Sequence, residues 1–437
     1  MAIPTPLSEP PWLDGHPSPY YNESHRKWQQ HCREFITREF TQYAMEWEEQ
    51  GEVPAEVYKR FADNHMLIPK LPAPLPLEWL RSIGVEKIGP ISVEEFDYIH
   101  FSIYASEMQR TGLNGPGSSL TAGFCFGIPP ILKFADRKLQ QRVLPDLLRG
   151  NTRICIAITE PDAGSDVANV QTTAEKSSDG KHYIVNGTKK WITNGLWSDW
   201  ASMCVRTGGE GPGGLSVLLV PLKGHRGVSM RKMDCSGQHS SGTTFIELDD
   251  VEVPVENLIG KEGEGMRYIM TNFNHERLNI CVSVTTQARM VLAAGFEYAM
   301  KRQAFGKPLI DQPVVRHRLA KAIGELETQW AWVESFVYQM VHMKKDVADT
   351  KLGGLTALAK AKSAMVLNEC AQTSQLLFGG NGYTKGGQGS LVEKAAREVA
   401  GARIPGGSED VMLDLAVRQL YKNYQRALKS QGTEAKL

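Results

Sequence analysis

Apolar residues along this chain change their spacing twice. From about Glu23 to Gly150, segments such as Trp28–Gln50, Pro54–His65 and Val93–Arg110 carry them three and four residues apart. That is the period of one buried helix face. Prolines 72, 74 and 76 interrupt this region and predict a loop. From about Thr152 to Val255 the runs shorten to Arg153–Ile158, His182–Val185, Trp200–Val205, Leu215–Pro221 and Thr243–Val251. Turn-forming clusters, Ser177-Ser178-Asp179-Gly180 and Gly208–Gly214 among them, separate these runs and predict a small antiparallel β domain. From Gly263 to about Leu428 the helical period returns in long stretches, broken at Phe305-Gly306-Lys307-Pro308, Gly379–Gly382 and Pro405-Gly406-Gly407. This predicts a bundle of long antiparallel helices. The expected division is α+β and multidomain: helical 23–150, β 151–258, helical bundle 259–428 and a tail, 429–437.

Composition narrows the classes. The chain has 437 residues, too many for one ordinary core, and 41% are hydrophobic. Lys+Arg and Asp+Glu are equal at 49 each, so no global field draws nucleic acid. The seven cysteines, Cys32, Cys125, Cys155, Cys204, Cys235, Cys281 and Cys370, are scattered without a CxxC pair. That argues for a reducing compartment and against a disulfide framework or a zinc site. The proline-rich amino terminus has neither the apolar core of a secretion signal nor the Arg-rich pattern of a mitochondrial presequence. No 18-residue apolar run predicts a membrane span. The final Ala435-Lys436-Leu437 resembles a peroxisomal address, the alternative being a chance match on a polar tail and a cytoplasmic protein.

Two segments carry candidate chemistry. Ile158-Thr159-Glu160-Pro161-Asp162-Ala163-Gly164-Ser165-Asp166 runs from a predicted strand into a turn flanked by hydroxyls. Read alone, it is either a ligand-contacting turn or an ordinary capped Pro-Asp-Gly turn. Gly187-Thr188-Lys189-Lys190-Trp191-Ile192-Thr193-Asn194-Gly195 offers an indole beside a hydroxyl, either as a flat ligand wall or as a hairpin with a core Trp.

Together and in this order, these segments resemble the two flavin-binding strands of the acyl-CoA dehydrogenase family. Arg302-Gln303-Ala304-Phe305-Gly306-Lys307, Phe378-Gly379-Gly380-Asn381-Gly382-Tyr383, Val392-Glu393-Lys394 and Gly406-Gly407-Ser408-Glu409-Asp410 are similar to further family motifs. The resemblance spans roughly residues 25–425. It implies an N-terminal helical domain, a middle antiparallel β domain and a C-terminal four-helix bundle, with FAD between the β domain and the bundle. By position it implies that Ile158 and Thr159 touch the isoalloxazine, that Trp191 stacks on the face away from substrate, and that the Thr193 hydroxyl reaches N5. Arg302 and Phe305 would serve the FAD of a partner subunit in a homodimer or homotetramer, and Leu376, Gly380, Ser408 and Asp410 fall at further cofactor contacts. Ser165 lies at both a cofactor and a substrate position. Asn274, Arg277, Gly406 and Gly407 lie at positions facing an acyl-CoA or a carrier-bound acyl thioester.

The implied reaction removes an α-proton and passes a β-hydride to flavin N5, so a carboxylate must face the α-carbon. Most family members place this Glu just before the closing Gly-Thr, where this chain has Gly406. The isovaleryl- and long-chain-type branch instead carries it in a Glu-Arg pair on the first bundle helix, and Glu276-Arg277 matches that position. Ile269, Phe273, Glu276 and Ile280 are spaced four, three and four, which puts the carboxylate on an apolar stripe. Without the resemblance, the preferred reading is a buried Glu paired with Arg277 or His275. Glu409 and Asp410 are fallback bases. Gly406 keeps the N–H that, in the family, binds the thioester oxygen together with the FAD ribityl hydroxyl.

Other positions depart from the family: Leu376 and Pro313 stand where Gln is frequent, and Lys385–Ser390 carries about three extra residues. His275 and His317 are expected to be surface or packing residues rather than metal ligands. Electrons would leave to an electron-transfer flavoprotein or, in the alternative reading, to O₂ in an oxidase of the same fold. A flavin-containing nucleic-acid-binding protein of this family is disfavoured by the zero net charge and the short extension after the bundle. The sequence leaves acyl chain length and branching open.

Overall fold

A computed structural model describes residues 5–430, the Asp346 side chain excepted. Ala435-Lys436-Leu437 lies outside the described residues.

The first region holds α1 (Glu23–Glu39), α2 (Ala44–Gln50), α3 (Ala55–Asp63), α4 (Leu77–Ser82), the two-residue strands β1 (Lys87–Ile88) and β2 (Ile91–Ser92), α5 (Tyr98–Met108), α6 (Gly115–Ala122), α7 (Ile128–Phe134) and α8 (Arg137–Leu148). Two predicted helices are shorter than their apolar period suggested. The Trp28–Gln50 stretch breaks at Phe40, which leaves helical geometry (φ −139°, ψ −57°) before a 3₁₀ turn, Thr41–Tyr43. The Val93–Arg110 stretch becomes helical only at Tyr98. The Asp97 carboxylate accepts from the Ile99 and His100 amides at 2.9 and 3.0 Å and caps the helix start.

A seven-stranded sheet follows, made of β3 (Ile154–Ala157), β4 (Thr173–Lys176), β5 (His182–Ile192), β6 (Trp200–Arg206), β7 (Leu215–Pro221), β8 (Val228–Lys232) and β9 (Thr244–Pro254). Its order is β3-β6-β4-β5-β9-β8, with β7 on β6. Most pairings are antiparallel, as expected, but β3 runs parallel to β6 and Thr173 of β4 pairs in parallel with Arg206. The long connection from Ala157 to Trp200 lets the chain re-enter the sheet in the same direction. Inward residues Val185, Met203, Leu218, Val220, Ile246 and Val251 form one core.

Beyond the sheet come α9 (Gly265–Met270), α10 (Phe273–Lys301), the short strands β10 (Gln303–Ala304) and β11 (Lys307–Pro308), α11 (Pro313–His342), α12 (Lys345–Phe378), α13 (Gly380–Tyr383), α14 (Ser390–Arg403) and α15 (Glu409–Ser430). Pro313 opens α11, a position where its missing N–H costs nothing. Val291, Leu292, Leu326, Ala364 and Leu367 are buried together at the centre of the bundle. Among the described residues, no helix is long and apolar enough to cross a membrane. Contacts divide the chain into two compact units. One holds residues 27–104 and 115–275; the other holds residues up to 26, residues 105–114 and residue 276 onward.

Candidate functional site

The predicted site residues fall into groups on each unit. In the β-containing unit, β3 ends at Ala157 and the chain turns through the half-buried Ile158 and Thr159. The Lys190 amide donates to the Thr159 carbonyl at 2.9 Å, tying this turn to β5 beside Trp191. Ser165 is exposed at the far side of the turn.

Trp191 owes its position to a bulge. Tyr183, Val185 and Lys189 of β5 point inward, and strict alternation would bury residue 191 next. The register shifts between Lys189 and Ile192, so Ile192 takes the inner place. Trp191 adopts φ +60° and is 48% exposed. The half-exposed ring, with Lys190 Nζ 4.4 Å from its centroid, lies outside the sheet core. The structure therefore excludes the core-Trp alternative. Thr193 follows, half-buried.

Beneath the turn lies an ion pair that the sequence reading missed. Lys189 is fully buried, and its Nζ donates to Ile158 O at 3.1 Å and to Glu160 Oε1 at 2.7 Å. The Glu160 carboxylate also accepts from the Thr172 amide at 3.0 Å and the Gln171 amide at 2.6 Å. Burial works to raise the Glu160 carboxyl, but the Lys189 charge and these hydrogen bonds hold it below its usual range. Burial draws the Lys189 ammonium down despite the attraction of Glu160. The signal was present, since Lys189 shares the odd-numbered inward face with Tyr183 and Val185. Removing one partner of a buried pair strands the other charge, so Lys189→Met is expected to cost about 3–5 kcal/mol in urea denaturation. A loss below about 1 kcal/mol would show that the pair does not hold the turn.

In the other unit, Glu276 and Arg277 occupy the first turn of α10, each 6% exposed. The predicted stripe begins at Phe273 rather than Ile269, because α9 ends at Met270 and is separate from α10. One turn on, Ile280 meets the connection between α14 and α15: a Cβ on Gly406 would lie 2.7 Å from Ile280 Cδ1. Arg277 Nε donates to Gly406 O at 3.3 Å. Burial lowers the Arg277 guanidinium, opposed by the adjacent Glu276. Gly406 and Gly407 adopt φ +70° and +99°, which L side chains rarely accept. The structure thus brings Arg277 and Ile280 against the turn that holds Gly406 and Gly407, with buried Glu276 and half-buried Asn274 just before them in α10.

Of the fallback bases, Glu409 is engaged by Arg403 in a two-pronged pair at 2.7 and 2.6 Å, and Asp410 is exposed in the first turn of α15. Ser408 precedes that helix, and its carbonyl accepts from the Met412 amide at 2.9 Å. His275 is buried, with Nε2 3.2 Å from Lys70 O and its ring 4.7 Å from that of Phe101, a packing role. His317 is on the helix surface.

A further group sits at the opposite end of α10, about 40 Å away along a helix of 29 residues. Arg302 is exposed, and Phe305 is 93% exposed at φ +55° in the β10–β11 turn. The Arg302 amide bonds Tyr298 O at 2.9 Å, and Tyr298 stacks on Phe378 at 4.0 Å. This brings the turn near exposed Leu376 and Gly380 at the end of α12. Gln375 bonds Gly382 O at 3.1 Å and so serves the turn itself.

Comparison with known proteins matches three successive stretches of the chain to one family. The family descriptions "Acyl-CoA dehydrogenase, N-terminal domain", "middle domain" and "C-terminal domain" match residues 22–151, 155–251 and 263–421. The chain is 62% identical over 427 residues to acyl-CoA dehydrogenase apdG of Emericella nidulans, covering 98% of each. It is 35% identical to acyl-CoA dehydrogenase AFT10-1 of Alternaria alternata, over 96% of this chain and 97% of that one. Among solved structures, acyl-CoA dehydrogenase from Geobacillus kaustophilus aligns with a TM-score of 0.80 at 26% identity, over 92% of this chain and 100% of that one. This chain belongs to the acyl-CoA dehydrogenase family, oxidoreductases that act on a CH–CH group.

Proposed function

We propose that this protein is an FAD-dependent enzyme that desaturates an acyl thioester between its α and β carbons, with Glu276 as the base. The observation that carries the reading is the packing of the first turns of α10, which also carry the buried Glu276, against the Gly406 turn. Ile280 fills the space beside Gly406, and Arg277 bonds its carbonyl. In this reading the thioester lies between the buried acid and the glycine turn, with its oxygen at the Gly406 N–H. The acid would then face the α-carbon.

The residues on the β domain fit a flavin. Trp191 offers a half-exposed indole, and Thr159 and Thr193 offer hydroxyls from neighbouring segments. A bound flavin supplies the acceptor for the β-hydride. Glu276 takes the α-proton. The Gly406 N–H holds the developing oxyanion, an effect worth roughly 3–4 kcal/mol per donor. Ser165 meets the CoA or carrier arm. Arg302 and Phe305 lie too far along α10 to serve the same site as Glu276. Their exposure and strained turn suit a neighbouring subunit's cofactor in a homo-oligomer.

Anaerobic titration of the purified, flavin-loaded protein with a panel of acyl-CoAs tests this reading. At least one is expected to bleach the yellow absorbance and release the 2-enoyl thioester; a panel with no bleaching contradicts it. Stopped-flow mixing of the reduced protein with air then identifies the acceptor. Slow reoxidation is expected of a dehydrogenase serving an electron-transfer protein, and rapid peroxide formation of an oxidase.

A further inference from the structure

The turn between α14 and α15 has no side chain of its own at Gly406 or Gly407 to hold it, yet it keeps two consecutive residues at positive φ. Its carbonyls are held from beneath. Lys360, in the middle of α12, is fully buried. Its Nζ donates to Arg403 O at 3.0 Å and to Gly407 O at 2.8 Å. Arg277, from α10, donates to the intervening Gly406 O. Cations from two helices thus grip carbonyls before and after the Gly406 N–H. The Gly406 and Gly407 carbonyls belong to the same peptide groups as the Gly407 and Ser408 amides, so these bonds also polarise those amides outward.

A buried ammonium carries a large desolvation penalty. Methionine would fill the same volume without that cost, so packing does not explain a lysine here. We propose that Lys360 is a positioning residue for thioester binding: with Arg277 it fixes the Gly406–Ser408 amides in the orientation that receives the substrate carbonyl. This rests on the functional reading above and adds to it a residue that touches neither substrate nor cofactor.

The arrangement carries a pH signature. Burial lowers the Lys360 ammonium to about 8, against its ordinary 10.5. The groups facing it are Cys281 and Arg277 of α10, Arg403 of α14 and Glu409 of α15. Burial pushes the Cys281 thiol up to about 12, Glu409 is paired with Arg403, and guanidinium groups stay charged at these pH values. Lys360 is therefore the member of this set that loses its charge between pH 7 and 9.5. Its neutral amine grips the carbonyls more weakly than the ammonium does.

The test uses the flavin-loaded protein and a non-oxidisable acyl-CoA with sulfur in place of the β-carbon. Its affinity is measured by calorimetry from pH 6.5 to 9.5 for wild type, Lys360→Met and Lys360→Arg. Wild-type affinity is expected to fall above pH ~8. Lys360→Met, which loses both charge-assisted hydrogen bonds to the turn, is expected to bind about tenfold more weakly at pH 7 and to show no alkaline inflection. Lys360→Arg, charged throughout, is expected to lose the inflection as well, and it carries the test if Lys360→Met does not fold. Lys360→Met binding with wild-type affinity, or Lys360→Arg keeping the inflection at the same pH, overturns the role of Lys360 alone. Wild type that binds none of these ligands, and is bleached by no acyl-CoA, overturns the functional reading as well.

Discussion

Replacing Glu276 with Gln is expected to lower turnover at least about 10³-fold while leaving flavin content and melting temperature near wild type. The amide preserves the size and hydrogen-bonding capacity of the side chain but cannot accept the α-proton. Neither neighbouring acid can take over: Glu409 is engaged by Arg403, and Asp410 is exposed in the first turn of α15. Steady-state assays with the most active acyl-CoA, run beside an absorbance measurement of bound flavin, separate loss of chemistry from loss of cofactor. A variant retaining a tenth or more of wild-type turnover would reassign the base.

Moving the acid from position 276 to position 406 is expected to fail. Gly406→Glu imposes a side chain on backbone at φ +70°, a cost of about 1–2 kcal/mol. Its Cβ would also lie 2.7 Å from Ile280 Cδ1, forcing that side chain to shift. Both effects displace the N–H proposed to receive the thioester oxygen, and misplacement of about 1 Å costs on the order of 10²-fold in rate. Gly406→Glu alone should therefore fall about 10²-fold in kcat/KM. The Glu276→Gln/Gly406→Glu double variant should be no more active than Glu276→Gln. Recovery of activity in the double variant would mean that the turn accepts a base, and that Gly406 is a glycine for some reason other than this geometry.

Much of this was legible in the residues, and the exceptions have physical causes. Leu215–Pro221 was read as the strand that forms, because both flanks carry strong turn signals. His182–Val185 was read too short. Asn186-Gly187 looks like a turn, but the strand passes through it with a bulge and continues to Ile192. The bulge at Lys189/Ile192 was also invisible to alternation, and it decides whether Trp191 is core or surface. Glu276 was legible as an acid on an apolar stripe, although that stripe starts at Phe273 because the helix does. Lys360 was missed although it shares a stripe with Ala357, Ala361 and Ala364, all buried. A lysine on a long helix reads as solvated, and only the carbonyls of the glycine turn explain its burial. Lys189 was missed although it lies on the inward face of β5, because its partners Glu160 and Ile158 are remote in sequence.

The central claim is that Glu276 removes the α-proton of a bound thioester, and isotope exchange tests it without relying on flavin reduction. The flavin-loaded protein is incubated in D₂O with the sulfur-substituted acyl-CoA, which can lose an α-proton but has no β-hydride to give. Deuterium at the α-carbon is then read by mass spectrometry. Wild type is expected to incorporate deuterium and Glu276→Gln to remain at the uncatalysed level. Equal incorporation by the two proteins would contradict the account.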